Sequence, residues 1–66
     1  MPTLGEIRVH IKFNPRANSD VDLIKQKSAE LIDICEALKS REPRLAALAQ
    51  TAFEEAAMWA VKAATT

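Results

Sequence analysis

Hydrophobic and polar residues alternate strictly over residues 6–13, EIRVHIKF. The four apolar side chains, at every second position from Ile7 to Phe13, predict a half-buried strand because successive side chains of a strand point to opposite faces. The next segment, NPRANS at residues 14–19, is typical of a turn. The sequence contains no second strand-like run, so this strand would pair with a symmetry mate or lie extended against helices. We therefore expect a short extended or β segment at about residues 6–13.

The pattern changes to a helical period after this turn. Ser19, followed three residues later by Asp22, resembles a capping box, and acidic residues suit the positive end of a helix dipole. We predict a helix over about residues 20–40, with the basic residues Lys39 and Arg41 at its C-terminal end. Its apolar stripe runs through Val21, Ile24, Ser28, Leu31, Cys35 and Leu38, and is widened by Leu23, Ile32 and Ile34.

A second helix is predicted over about residues 43–64. Pro43 suits a first helical turn, and the short break KSREP at residues 39–43 implies an antiparallel hairpin. The second helix has two adjacent apolar stripes, more than one partner helix covers, so the hairpin is expected to pack against other copies. One stripe is Leu45, Leu48, Ala52, Ala56, Trp59 and Ala63; the other is Ala46, Ala49, Phe53, Ala57, Ala60 and Ala64; Arg44, Thr51, Glu55 and Lys62 form a narrow polar line.

The small size of the chain supports the same expectation. A domain of 66 residues is only marginally stable alone, and small folds are usually stabilised by disulfides, a metal or partner subunits. Cys35 is the only cysteine and His10 the only histidine, which excludes an intrachain disulfide and a Cys/His zinc site within one chain. We therefore expect one mainly α-helical domain, residues 1–66, with an arm and turn at 1–18 and a hairpin at 19–66, assembled as a homo-oligomer without metal or cofactor.

Charge and hydropathy exclude several classes of partner. No apolar run is long enough to cross a bilayer and no signal peptide is recognisable, so we expect a soluble cytoplasmic protein. Nine Lys and Arg balance nine Asp and Glu, which argues against binding of a nucleic-acid duplex. Residues 1–18 carry three cations against Glu6, a net +2, so an anion site is expected to draw on this part.

Catalytic motifs are absent from the sequence, and we predict that the protein is not an enzyme. The single histidine has no triad partner at a local spacing, and a single glycine excludes glycine-rich phosphate loops. The remaining candidates are ligand-binding residues: arginine and lysine for phosphate, a threonine hydroxyl, and a phenylalanine face for stacking. Ordinary surface charges explain the same cations. The candidates are Phe13, Arg16, Lys25, Lys27, Arg44 and Thr51.

Two segments resemble a known family. The stretch EPRLAALAQTAFEEAAMWAVKAAT, residues 42–65, has an acid-Pro-Arg start, an Ala-x-Thr step at Ala49–Thr51 and a closing Met-Trp-Ala followed by Lys62. FNPRANSDVDLIKQKSAELIDI, residues 13–34, has an Ile-Lys step at Ile24–Lys25. Together they resemble the phage anti-CBASS cyclic-nucleotide sponges, whose helical hairpin is shared with a class of Thoeris anti-defence sponges. Residues 6–12 lie outside the recognised pattern.

The resemblance implies a non-enzymatic phage or prophage protein, acting in the cytoplasm of the infected host. It implies a homohexamer of hairpins that sequesters intact cyclic di- and trinucleotides in pockets between protomers. The family's aromatic before the first helix falls at Phe13, where tyrosine is usual, so stacking is kept and a phenolic hydrogen bond is lost. The ligand-contacting lysine and arginine fall at Lys25 and Arg44, and Thr51 matches a family threonine.

Two other classes of function remain open on the sequence. A ribbon-helix-helix DNA-binding repressor also has one strand followed by two helices, and its strand would present Arg8, His10 and Lys12 to the major groove. Neutral charge, a long turn and long helices argue against it. A purely structural or partner-binding bundle explains the helices but leaves the cations without a role.

Overall fold

The computed structural model describes residues 2–9 and 18–66, and the chain in these ranges is mainly helical. It contains α1 at Leu4–Arg8, α2 at Ser19–Leu38 and α3 at Pro43–Ala64. A four-residue connection, 39–42, joins α2 and α3 into an antiparallel hairpin. The two predicted helices are confirmed to within two residues at each end.

The strand predicted at residues 6–13 is wrong over residues 6–9, where the chain forms α1 and its C-cap, Val9. A capping box starts this helix: the Glu6 amide donates to Thr3 Oγ1 at 3.1 Å, and the Thr3 amide donates to Glu6 Oε1 at 2.9 Å. Alternation over so few positions is compatible with a strand and with one helical turn. The capping box of Thr3 and Glu6 stabilises the helical turn. Residues 10–13 lie outside the described residues.

A close backbone contact holds α1 against α2. The Gly5 amide donates to Asp33 Oδ1 at 2.8 Å. A Cβ atom on Gly5 would lie 2.0 Å from the Ala29 carbonyl oxygen, where no side chain fits. Glycine is therefore required at this position because the two helices approach through their backbones.

The start of α2 is capped by Asn18 and not by Ser19, which corrects the predicted capping box. The side-chain oxygen of Asn18 accepts from the amides of Asp20 at 2.8 Å and Val21 at 3.3 Å. Its Nδ2 donates to the carbonyl of Ala64 at 3.2 Å. One side chain thus caps the first turn of α2 and ties it to the last turn of α3.

The interface between α2 and α3 is built mainly from small residues. The second predicted stripe of α3, from Ala46 to Ala64, is buried or half-buried against α2. Alanines allow the two helix axes to approach closely. The core cluster consists of Val9, Ala29, Ile32 and Ala57, with Leu4, Ile24 and Phe53 packed against it.

Gln50 is a polar residue inside this apolar stripe, and the sequence analysis did not single it out. Its side chain is fully buried, and Nε2 donates to the Ile32 carbonyl at 3.1 Å and to Glu36 Oε1 at 3.0 Å. The pKa of Glu36 is lowered mainly by a hydrogen bond from Lys39 and secondly by the hydrogen bond from Gln50. Gln50 Oε1 is buried without a hydrogen-bond partner in the described part of the chain. These polar contacts fix how α2 and α3 align along their axes.

One face of the hairpin is apolar and exposed. At 3.6 residues per turn, the exposed stripes of α2 and α3 lie about 120–140° from the buried stripes, in the same sense on both helices. In an antiparallel pair, equal rotation in the same sense places both stripes on one face, opposite the face that carries α1. This exposed apolar face comprises Leu23, Leu31, Ile34, Leu38, Leu45, Leu48 and Trp59.

Substitution of Gly5 by alanine tests the docking of α1. We expect Gly5→Ala to lower the free energy of unfolding by about 1–3 kcal/mol, because the new methyl group overlaps the Ala29 backbone. Urea unfolding at fixed protein concentration measures the loss, and hydrogen exchange at the Val9 amide, which donates to the Gly5 carbonyl, reports on α1 itself. Ile7→Ala, on the exposed side of α1, is the matched control. Equal stability of the two variants, with Val9 still protected, would contradict the contact.

Candidate functional site

A cleft of about 500 Å³ lies on the α1 face of the hairpin. Its volume falls within the usual range for small-molecule sites, roughly 300–1,000 Å³. All three helices contribute to its walls, so its shape depends on α1 being docked. Its lining residues are Arg8, Val9, Lys25, Thr51, Glu54, Glu55, Ala57, Met58 and Val61.

Lys25 is the buried cation of this cleft. Only 3% of the residue is exposed, although Lys is rarely buried to this degree in small proteins. Burial lowers the pKa of its amine, and the nearby charge of Asp22 opposes this shift only in part. The fold therefore holds a positive charge at a position where burial disfavours it, which is typical of functional sites.

Arg8 and Glu54 face each other across the cleft. Arg8 Nη1 lies 3.7 Å from Glu54 Oε2, and both side chains remain partly open to solvent. This ion pair links α1 to α3. With Lys25 and Glu55, it gives the described lining two cations and two carboxylates, so these groups of one protomer create no net positive charge.

The structure brings two of the predicted ligand-binding residues together. Lys25 and Thr51 both line the cleft, Lys25 from α2 and Thr51 from α3. The Thr51 hydroxyl donates to the Ala47 carbonyl at 3.2 Å, which leaves its oxygen lone pairs able to accept.

The other predicted residues are not placed in this cleft. Arg44 is the second residue of α3 and is exposed. It lies seven residues before Thr51, which puts it on about the same side of α3 but roughly 10 Å further along the axis. Phe13 and Arg16 lie outside the described residues, between Val9, which lines the cleft, and Asn18, which is bonded to Ala64.

Sequence reasoning missed seven of the described lining residues of the cleft: Arg8, Val9, Glu54, Glu55, Ala57, Met58 and Val61. Arg8 and Val9 were assigned to a strand, and Met58 to an oligomer core. The polar line on α3 was the available signal, because Thr51 and Glu55 lie on the cleft side and Met58 follows Glu55 by three residues on the same side of the helix. The placement of α1 had no such signal.

Neither a metal centre nor a membrane segment is found in the described ranges. No three His, Cys, Asp or Glu side chains there are arranged to hold a metal ion. The helices described are too short or too polar to cross a membrane.

Comparison with known families decides which group of proteins shares this hairpin. The family described as "Acb2/Tad1, hairpin domain" matches residues 5–65. The chain belongs to this family. Its hairpin domain is therefore that of the phage anti-defence sponges, which confirms the resemblance found in the sequence. Comparisons with curated proteins and with solved structures returned no match.

The match also corrects the extent of the resemblance. It begins at residue 5, so the region of α1 belongs to the hairpin domain and is not a segment outside the family pattern. The sponges are a binding family. The cleft formed by α1, α2 and α3 lies entirely within the matched region.

Replacing Lys25 with methionine tests whether the buried charge of Lys25 lowers the free energy of unfolding. We expect Lys25→Met to raise the free energy of unfolding by about 1 kcal/mol, because an unfavourably buried charge is replaced by an apolar chain of similar length. The lowered pKa also means that the unfolded chain binds the Lys25 proton more tightly. Stability of the unsubstituted protein should therefore rise with pH as it approaches the unfolded-state pKa of about 10.4, and Lys25→Met should lack this rise.

Urea unfolding across this alkaline range provides the measurement, with Lys27→Met as control because Lys27 is exposed on α2. A loss of stability in Lys25→Met, with the control unchanged, would show that the buried lysine supports the fold.

Proposed function

We propose that this protein sequesters cyclic di- and trinucleotide immune signals, intact, in the cytoplasm of an infected bacterium. The proposal places the ligands in pockets between protomers of a homo-oligomer, a hexamer by resemblance to the sponges. The observation that carries it is the burial of Lys25 in a cleft that lies within the hairpin domain of a sponge family.

The chemistry of the cleft suits such a ligand. A cyclic oligonucleotide presents phosphodiester anions on a ring together with flat, largely apolar bases. Lys25 would bind a phosphate as a point charge, and the Thr51 oxygen would accept from a sugar or base. Val9, Met58 and Val61 supply apolar wall for a base. Phe13 is proposed as a stacking residue, and Arg16 as a further cation.

Two observations support a pocket completed by a second protomer. The described lining of one cleft has balanced charges, so additional cations are needed to hold two or three phosphates. Arg44 is exposed outside the cleft of its own chain, where it is available to a neighbouring protomer. The exposed apolar face, opposite the cleft, gives the protomers a reason to assemble.

The alternatives have less support. A ribbon-helix-helix repressor needs a strand where α1 lies, and Arg8 is the last residue of that helix. A purely structural bundle has no use for a buried lysine beside an open cleft.

Native mass spectrometry with a mixed panel of cyclic di- and trinucleotides tests sequestration. We expect an oligomer that retains ligands of unchanged mass. Loss of one charge-assisted contact, worth about 1.5–3 kcal/mol, should weaken retention roughly ten- to hundredfold in Lys25→Ala and in Arg44→Ala.

The matched control is Arg41→Ala, which removes an exposed cation just before α3. A dimer that ignores the whole panel and instead binds duplex DNA, with affinity that falls steeply with salt, would establish the repressor.

A charge placed on the exposed apolar face tests assembly separately. Leu48 is 57% exposed and belongs to the part of the exposed apolar face that α3 contributes. We expect Leu48→Glu to shift the protein to smaller species in sedimentation at micromolar concentration, because a buried unpaired carboxylate in the interface is unfavourable by several kcal/mol. Ser40→Glu, in the exposed connection, should assemble normally. An unchanged oligomer in Leu48→Glu would place the interface elsewhere.

A further inference from the structure

Arg8, the last residue of α1, places a cation in the cleft. The alternating sequence pattern had predicted this residue on the polar face of a strand. Arg8 lines the cleft together with Lys25, and its guanidinium meets the Glu54 carboxylate at 3.7 Å. The distance is long for a charge-assisted hydrogen bond, and the two side chains are 31% and 48% exposed. An ion pair of this length and exposure contributes little to stability, so it is readily exchanged.

The position of Arg8 is nevertheless well defined because α1 is fixed at several points. Its start is closed by the capping box, the Gly5 amide is bonded to Asp33, and Val9 is buried in the core. A cation on a docked helix binds a ligand with a smaller ordering cost than one on a free arm. The contact that Arg8 makes with Glu54 is therefore the part of this arrangement that can change.

We propose that Arg8 is a ligand-binding residue of the cleft, and that Glu54 is an internal anion that occupies its guanidinium until a ligand phosphate replaces the carboxylate. This inference rests on the proposed function and adds a second cation to it. A phosphodiester offers the guanidinium two oxygens in the geometry of a carboxylate, so one anion substitutes for the other. Lys25 and Arg8 would then hold phosphates from two sides of the cleft.

The exchange makes Glu54 a competitor of the ligand. While Glu54 is paired with Arg8, the charges of the described cleft lining cancel. Removal of the Glu54 charge would leave Arg8 without this ion pair and the described lining net positive, with Glu36 the other carboxylate whose charge Arg8 feels. Substitutions of Glu54 and Arg8 should therefore change the affinity for the ligand in opposite directions. If the ion pair served only to hold α1 on α3, both substitutions would change the affinity in the same direction.

The experiment measures dissociation constants for cyclic di-AMP and a cyclic triadenylate by titration calorimetry with the full-length protein. A lost arginine–phosphate contact is worth about 1.5–3 kcal/mol, so Arg8→Ala should weaken binding at least tenfold. The affinity of Arg8→Lys should lie between those of Arg8→Ala and the unsubstituted protein, because lysine keeps the charge without the bidentate geometry. Glu54→Gln should tighten binding severalfold and make it more sensitive to salt.

Two controls remove the same charges elsewhere: Arg41→Ala and Glu42→Gln, both at exposed positions outside the cleft. Circular dichroism and native mass verify that each variant is folded and assembled. If Lys25→Ala loses binding while Arg8→Ala stays within twofold of the unsubstituted protein, the role of Arg8 is overturned and sequestration stands. Weaker binding in Glu54→Gln overturns the exchange. Failure of the unsubstituted protein to bind either probe or any member of the mixed cyclic-nucleotide panel overturns both proposals.

Discussion

Backbone contact between α1 and α2 determines the rest of this structure. Gly5 has no side chain, so α1 approaches until a Cβ atom would overlap the Ala29 carbonyl, and Asp33 then accepts the free Gly5 amide. Docking at this distance buries Val9 in the core and brings Arg8 to the edge of the cleft. Without α1, the Lys25 side of the hairpin would be an open surface with one wall missing. A single small residue thus converts a two-helix hairpin into a fold with a concave site.

The two faces of the hairpin have different physical roles. The α1 face carries the cleft, with polar residues placed among apolar ones. The opposite face carries large apolar side chains with no polar network, and nothing in the described part of the chain covers them. The Cα atoms span only 12 Å in the shortest direction, so the slab is too thin to bury both faces at once. Under the proposed assembly, partner subunits would cover the apolar face and add the buried area that a chain of this size lacks on its own.

Sequence patterns predicted the parts of the fold that repeat over many turns. The helical period continues for about twenty residues in α2 and in α3, and Pro43 marks the start of α3 at its first residue. The predicted strand was wrong over residues 6–9 because alternation over four positions carries little information beside a capping box and a tertiary contact. The identity of the α2 cap was wrong by one residue, since Asn18 and Ser19 are both good capping residues. Lys25 and Thr51, both predicted from the sequence to bind a ligand, line the cleft, and their ligand contacts stay a prediction. Arg8 reaches the cleft only through the position of α1, which no local pattern encodes.

Lys25 and Gln50 illustrate two different reasons for keeping a polar side chain inside a small protein. Gln50 is fully buried between the helices and bonded to both Ile32 and Glu36, so a shift of α3 by one turn would break both bonds. Its cost, an unpaired Oε1 within the described residues, is offset by a unique alignment of the hairpin. Lys25 is buried beside an open cleft, where burial lowers the pKa of its amine and the charge of Asp22 opposes that shift. An apolar residue of similar length would fill the same space without this burial penalty, so packing alone gives no reason for a lysine at this position.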